Sequence, residues 1–374
     1  MSITSIAQNT FQNFGNVQIH KGGNIGFHTN VVNNGTFNQN VGFAGFYSLN
    51  GRLSVSGNNK MSFNTIEIDV FRDLFLETSL EVTNNLSFLS GKVVTPRNDL
   101  GVSLNFLDYY VYAGENDSNY VDGYAVTSNN SEFTFPIGDD NSLRSMLLPN
   151  QAKNSTYSGA YFRENPNSPS TFNTSFDTSK RQELLVKVSE IEFWDLNGTE
   201  ETEVVLTWDR DSNIALLTKD ITTLSVVGWD INSNMWVDLG SENIMGNLYT
   251  GSVESVSFNP KDYEIITIGS DFKGVLGEES FFIANSFSPN GDGINDYLVI
   301  EGIERKPNNL LQIFNRWGAL VYSKEKYDNT WDGTSEHKLT IGKGRGLPTG
   351  TYFYLLKIYD TDDKTYTGFI HLLR

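Results

Sequence analysis

The sequence predicts an all-β protein made of an N-terminal β-solenoid-like domain, an immunoglobulin-like β-sandwich and a smaller C-terminal β-sandwich. Three observations carry this. Apolar residues alternate at period two in short runs bounded by Gly, Pro, Asn and Asp, as half-buried strands require. Short apolar pairs recur together with Asn-Asn dipeptides in the first hundred residues, and residues 100 to 175 show strands and turns with no helical pattern. At 374 residues two to three domains are expected, and 38% hydrophobic with 13% aromatic residues suffices for buried cores.

In chain order, Ser5-Ile-Ala7 has the small-x-small pattern of a signal-peptide cleavage site. Residues 1–7 are therefore expected to be the end of a signal peptide with Gln8 as the mature terminus, an ordinary flexible N-terminus being the alternative. Residues 8–180 are expected to form the solenoid-like domain with its cap. Its apolar pairs include Ile25/Phe27, Leu53/Val55, Ile66/Ile68, Leu74/Leu76, Leu80/Val82 and Leu86/Phe88, the last three recurring every six residues. With Asn-Asn at 33/34, 58/59 and 84/85, this suggests coils at a near-hexapeptide step, in which inward pairs stack and Asn side chains ladder. A meandering sandwich is the competing structure. Residues 100 to about 175 are expected to cap the last coil, whose exposed edge would otherwise recruit other chains. Residues 150–180, rich in Ser, Thr, Asn and Pro, read as a long loop.

Residues 181–270 carry runs such as Glu203-Val-Val-Leu-Thr-Trp208 and Leu224-Ser-Val-Val-Gly-Trp229 at roughly ten-residue spacing, the pattern of an immunoglobulin-like sandwich. Residues 271–280 read as a linker. From 281 to 374, alternating runs at 298–300, 310–314, 320–322, 351–358 and 367–372 predict a small antiparallel module.

That last segment holds five motifs in order: Ser286-Phe-Ser-Pro-Asn-Gly-Asp-Gly-Ile-Asn-Asp296, Asn315-Arg-Trp-Gly318, Trp331-Asp-Gly333, Leu347-Pro-Thr-Gly-Thr-Tyr-Phe-Tyr354 and Gly368-Phe-Ile-His-Leu-Leu-Arg374. Together they resemble the gliding-motility-associated C-terminal domain of Bacteroidetes, the type B sorting domain of the type IX secretion system. The resemblance implies a C-terminal β-sandwich sorting domain, export across the outer membrane by the type IX translocon, and retention at the cell surface through a SprF/PorP-like outer-membrane protein.

Charge is unevenly placed. Residues 281–374 carry 11 basic and 11 acidic side chains, so the whole net charge of −18 lies in residues 1–280. An acidic body argues against nucleic acid and anionic lipid as partners, because phosphate neutralisation would have the wrong sign. Within the tail, Lys338, Lys343 and Arg345 stand with no acidic residue between Glu336 and Asp360. They read as a solvated hairpin loop or as a contact loop for a membrane partner. Phe287, Pro289, Arg316, Phe369 and Arg374 complete the candidate partner contacts, the final strand edge being able to accept a strand from another protein. Trp317 and Trp331 read as core anchors beside turns. No run reaches the ~18 apolar residues of a membrane-spanning helix.

Little in the sequence points to catalysis. Cysteine is absent, the four histidines have no ligand-spaced partner, and no Gly-x-Ser-x-Gly elbow occurs. The adjacent acids Asp139-Asp140 and Glu200-Glu201 would point to opposite faces of a strand. Asp292, Asn295 and Asp296 could offer oxygen ligands to Ca2+ and could cap backbone amides in a turn, neither role excluding the other. The expected function is thus a non-enzymatic surface protein, an adapter or carrier of a secretion or gliding assembly attached to the outer membrane. A surface adhesin or carbohydrate-binding module is the alternative, and a polysaccharide-active enzyme the third reading.

Overall fold

The structure, a computed structural model, describes residues 10–108, 111–152, 154–271, 282–284, 286–293, 295–335, 346–359 and 364–374. The chain forms two compact units, Met1–Gly274 and Val275–Arg374. The expected linker falls almost wholly on residues outside this description, as do residues 1–9.

The first unit begins as a β-solenoid of about 6 turns. One parallel sheet stacks Thr10–Asn13, Asn30–Asn33, Leu53–Ser56, Leu74–Leu76, Val93–Val94, Val121–Asp122 and Ile137–Asp139. The other stacks Asn24–Phe27, Phe43–Ser48, Met61–Val70, Leu80–Ser90, Leu104–Leu107 and Ala125–Ser128. In-register pairing places like side chains on top of one another at the strand spacing. Leu53, Leu74, Val93, Val121 and Ile137 form one buried aliphatic column. Phe27 and Phe46, 5.1 Å apart, begin an aromatic one.

Asparagine ladders hold the first corners. Asn13 donates to the Asn33 side chain, 20 residues on, and Asn33 donates in turn to the Asn59 carbonyl. Elsewhere glycine is required because the coils approach closely. A Cβ on Gly91, at φ +83, would lie 2.0 Å from the Val70 carbonyl oxygen of the coil before.

The six-residue recurrence proves to be internal to a coil. Leu74/Leu76 lie in one sheet, whereas Leu80/Val82 and Leu86/Phe88 share a single long strand of the other. The coil itself advances by about twenty residues, as the pairing of Phe63 with Val82 and of Leu74 with Val93 shows. Inward pairs mark each side of a turn, and only the strand pairing reveals how many sides make one.

No break occurs near residue 180. Thr156–Phe162 pairs antiparallel with the last solenoid strand, Ala125–Ser128, and Phe193–Gly198 continues the same sheet. Tyr263–Asp271, Leu224–Asp230 and Met235–Asp238 extend it, and Val111–Ala113 and Leu185–Val188, paired beside Leu80–Ser90 and Tyr263–Asp271, bring it to 13 strands. A second, five-stranded sheet of Phe133–Phe135, Met146–Leu148, Val205–Trp208, Thr250–Glu254 and Ile244–Asn247 shares its core, with Trp194, Leu206, Trp208, Val253 and Ile268 all buried. The sandwich expected from 181 onward therefore draws strands from before that position. The physical reason is the solenoid edge, whose unpaired amides and carbonyls Thr156–Phe162 saturates. The loop expected over 150–180 contains this strand, and its remainder folds back over the long sheet. There Phe172 and Phe176 pack against Phe162, Phe193 and Trp229 in a second core.

The second unit is a five-stranded sheet in the order Ser286–Phe287, Lys364–Leu372, Gly350–Ile358, Asn309–Phe314, Leu320–Glu325, with a two-stranded ribbon of Phe282–Ile283 and Ile300–Glu301. One face buries Leu311, Ile313, Leu356, Ile370 and Leu372 against Leu298, Ile303, Tyr327 and Trp331. The alternation seen in the sequence is the alternation of this face.

Candidate functional site

Four of the five C-terminal motifs converge in space, the Asn315–Gly318 turn lying apart from them. Ser286–Phe287 lies parallel to the last strand, Phe287 opposite Leu372. Phe287 packs on Trp331 at 5.2 Å, and both are buried. Gly333, at φ +73, could not carry a Cβ without meeting the Leu372 side chain at 2.3 Å. Arg374 closes the group: its backbone amide donates to Thr349 Oγ1, its Nε to the Leu347 carbonyl, and its Nη2 to the carbonyls of Asp332 and Gly333. One expected partner contact is thereby corrected: Phe287 belongs to the core. The Arg374 guanidinium is a clasp on three carbonyls of its own unit, on a residue that stays exposed. Pro289 is half-buried beside them.

The Asn290–Asp296 segment is a turn network. Asp296 accepts the amide of Gly291 on Oδ1 at 2.7 Å and that of Gly293 on Oδ2 at 2.9 Å. Asn290 accepts the Asp292 amide and donates to Asp292 Oδ2, while the Asn295 carbonyl accepts from Ser288. Gly291, Gly293 and Asn295 adopt positive φ. The turn half of the expectation at Asp292, Asn295 and Asp296 is what the hydrogen bonds describe, with each Asp296 oxygen accepting one backbone amide. Among the described residues no group of three acidic, His or Cys side chains is arranged to hold a metal.

Exposed residues lie on the other face of the sheet. Phe314 is opposite Phe353, and Phe353 is opposite Phe369, so three phenylalanines cross three adjacent strands in one row. Phe353 and Phe369 are 48% and 51% exposed. Next to Phe369, the His371 ring lies 5.5 Å away and pairs with Thr351 Oγ1. Beyond Phe314 the chain turns tightly: Asn315 Oδ1 accepts the amides of Trp317 and Ala319, and Gly318 takes φ +76. That turn lifts Trp317 to 79% exposure, with the Arg316 guanidinium 4.7 Å from its ring. The expectation that Trp331 is a core anchor holds, whereas Trp317 is on the surface because the turn, and no strand, carries it. Of the remaining expected contacts, Arg316 and Phe369 are exposed, and Lys338, Lys343 and Arg345 lie outside the described residues.

The first unit holds a second candidate that no local sequence signal marks. A cleft of about 670 Å3 is lined by Arg97, Tyr124, the 171–174 excursion, Asp195, Asn197 and the 260–264 turn. Asp195 is buried; Tyr124 donates its hydroxyl to Oδ2 at 2.5 Å and Asn197 donates its amide to Oδ1 at 2.7 Å. Burial pushes the Asp195 carboxyl up to about 7, Glu264 adding to the rise against the two hydrogen bonds. A further cleft, about 440 Å3 beside Arg181 and Lys187, has only exposed or half-exposed ionisable groups on its wall. Deeper in the sandwich, Arg144 bonds Glu192 and Asp209, and Tyr161 donates to Glu192 at 2.6 Å. Arg144 and Glu192 are buried in this cluster, and Asp209 carries it to the surface.

Residues 281–372 match the CHU_C Type IX secretion signal domain. No curated protein matches the chain.

Proposed function

Taking residues 281–372 as the type IX secretion signal domain that they match, we propose that the exported chain is held at the outer membrane by this unit, docked on a SprF/PorP-like membrane protein. The body then serves as a non-enzymatic adapter or carrier in a secretion or gliding assembly. The observation that carries the reading is the row Phe314–Phe353–Phe369 across three adjacent strands, with Phe353 and Phe369 about half exposed among the described residues and Trp317 exposed in the turn that follows Phe314. Contiguous exposed aromatics cost solubility, and aromatic residues are what interface centres favour. Of the motif residues, Phe287, Trp331 and Leu347 are spent on the core, whereas Trp317, Phe353 and Phe369 stay exposed and supply the recognition surface. A near-neutral unit attached to an acidic body also suits two different surroundings.

The test compares cells expressing the full chain with cells expressing the Phe353→Ser/Phe369→Ser variant. Surface retention of the first and release of the second into the medium supports docking through this face. Equal retention of both contradicts it.

A further inference from the structure

We propose that the cleft around Asp195 is a binding site for a short neutral oligosaccharide. The inference goes beyond the docking reading and is independent of it, since the cleft lies wholly within the first unit.

Its chemistry is that of a receptor for a polyhydroxylated ligand. The volume of about 670 Å3 suits two to three sugar rings rather than a polymer domain or an ion. Asp195 lies at its base on Phe193–Gly198, a strand of the long sheet, and is held from two sides by Tyr124 and Asn197. Each carboxyl oxygen thus has one protein donor and capacity for another. A carboxyl buried without a cation in contact costs stability, and such a group in a cleft marks a candidate functional site. Around it stand the amides of Asn98, Asn173 and Asn197, which offer paired donors and acceptors, and the half-buried rings of Phe172 and Tyr263. Amides and carboxyls that bond hydroxyls, beside rings that pack on the apolar face of a sugar, make up such a site.

The charges favour a neutral ligand. Arg97 is committed to Asp122, Asp139 and the carbonyls of Tyr161 and Gly138, and its guanidinium covers the Phe162 ring. Lys261 donates to the Thr199 carbonyl. An anion would meet Asp195 and Glu264 without a dedicated cation, and a cation would meet Arg97 and Lys261.

The geometry also explains why the 163–184 excursion is pinned so firmly. Glu164 accepts the amide and hydroxyl of Ser170, and Asn167 Oδ1 accepts the Thr178 amide. Phe172 packs edge-on against the stacked rings of Phe162 and Phe193, which fixes the wall that residues 171–174 supply.

The test titrates the purified full chain with cellotriose, laminaritriose, xylotriose, maltotriose and chitotriose by calorimetry. The proposal expects at least one to bind in the micromolar to low-millimolar range, with Asn197→Ala and Tyr263→Ala each weakening that binding at least tenfold while the thermal unfolding midpoint stays within about 3 °C of the parent. Lack of binding of any of them at about 10 mM overturns it. So does binding that neither variant changes. Should either variant unfold, Asn173→Ala, on the exposed rim, replaces it under the same criterion.

Discussion

Phe353 and Phe369 face each other across the two longest strands of the C-terminal sheet, each about half exposed, on the side that the unit's own core does not use. Inner neighbours Tyr352 and Ile370 are paired in the same way and are buried. One pleat thus separates the residues that fold the unit from those available to a partner.

Replacing both outward phenylalanines with serine is expected to change the stability of the unit by no more than about 1 kcal/mol, since exposed cross-strand aromatic pairs contribute little. Thermal unfolding of the full chain checks this. The same variant is expected to lose surface retention.

Arg374→Ala acts in the opposite sense. Loss of the guanidinium bonds to the carbonyls of Leu347, Asp332 and Gly333 is expected to destabilise the unit by about 1–2 kcal/mol. Denaturant unfolding of the C-terminal transition measures it.

Asp195 gives the first unit a pH dependence with a definite sign. Its folded carboxyl sits at about 7, above the ordinary carboxylate value of 3.8. The folded state therefore binds the extra proton between these values, so this contribution is present at low pH and is lost as pH rises towards 7. Its size is on the order of 3 to 4 kcal/mol. Unfolding midpoints of the parent should fall between pH 5 and pH 8 by several degrees more than those of Asp195→Asn.

Arg144→Met leaves Glu192 buried without its cation. Stability of the first unit is expected to drop by about 3–5 kcal/mol. Arg144→Met combined with Glu192→Leu should recover a good part of the loss, as equilibrium unfolding in urea would read.

Asp296→Ala is expected to cost about 1 kcal/mol through the unbonded amides of Gly291 and Gly293. Melting of the parent should be the same in Ca2+ and in chelator.

The sequence made visible what short range determines. Strands such as Asn309–Phe314 and Gly350–Ile358 alternate buried and exposed residues, and the alternation was readable because one face meets the core. The asparagine corner of the solenoid was readable in part, since Asn33 recurs near the right step. Three features were hidden by pairing between distant segments. The coil length depends on which strands stack, so apolar pairs six residues apart suggested a step that is only one side of a turn. The boundary near 180 vanished because Thr156–Phe162, buried in a Ser- and Asn-rich stretch, bridges the two halves of the long sheet. Phe287 and Trp317 exchanged their expected places, since a parallel pairing with Leu372 buries one and the tight turn between Phe314 and Leu320 raises the other. The cleft was out of reach because Tyr124 and Asp195 are 71 positions apart, and neither has a telling neighbour in sequence.

The most direct test of the docking account is co-purification from the native outer membrane in mild detergent, with an internal tag on the full chain, on a 1–280 truncation and on Phe353→Ser/Phe369→Ser. The account predicts that a β-barrel outer-membrane protein elutes in stoichiometric amount with the full chain alone. Co-elution with the double variant as well, or elution of the full chain without any membrane protein, would contradict it.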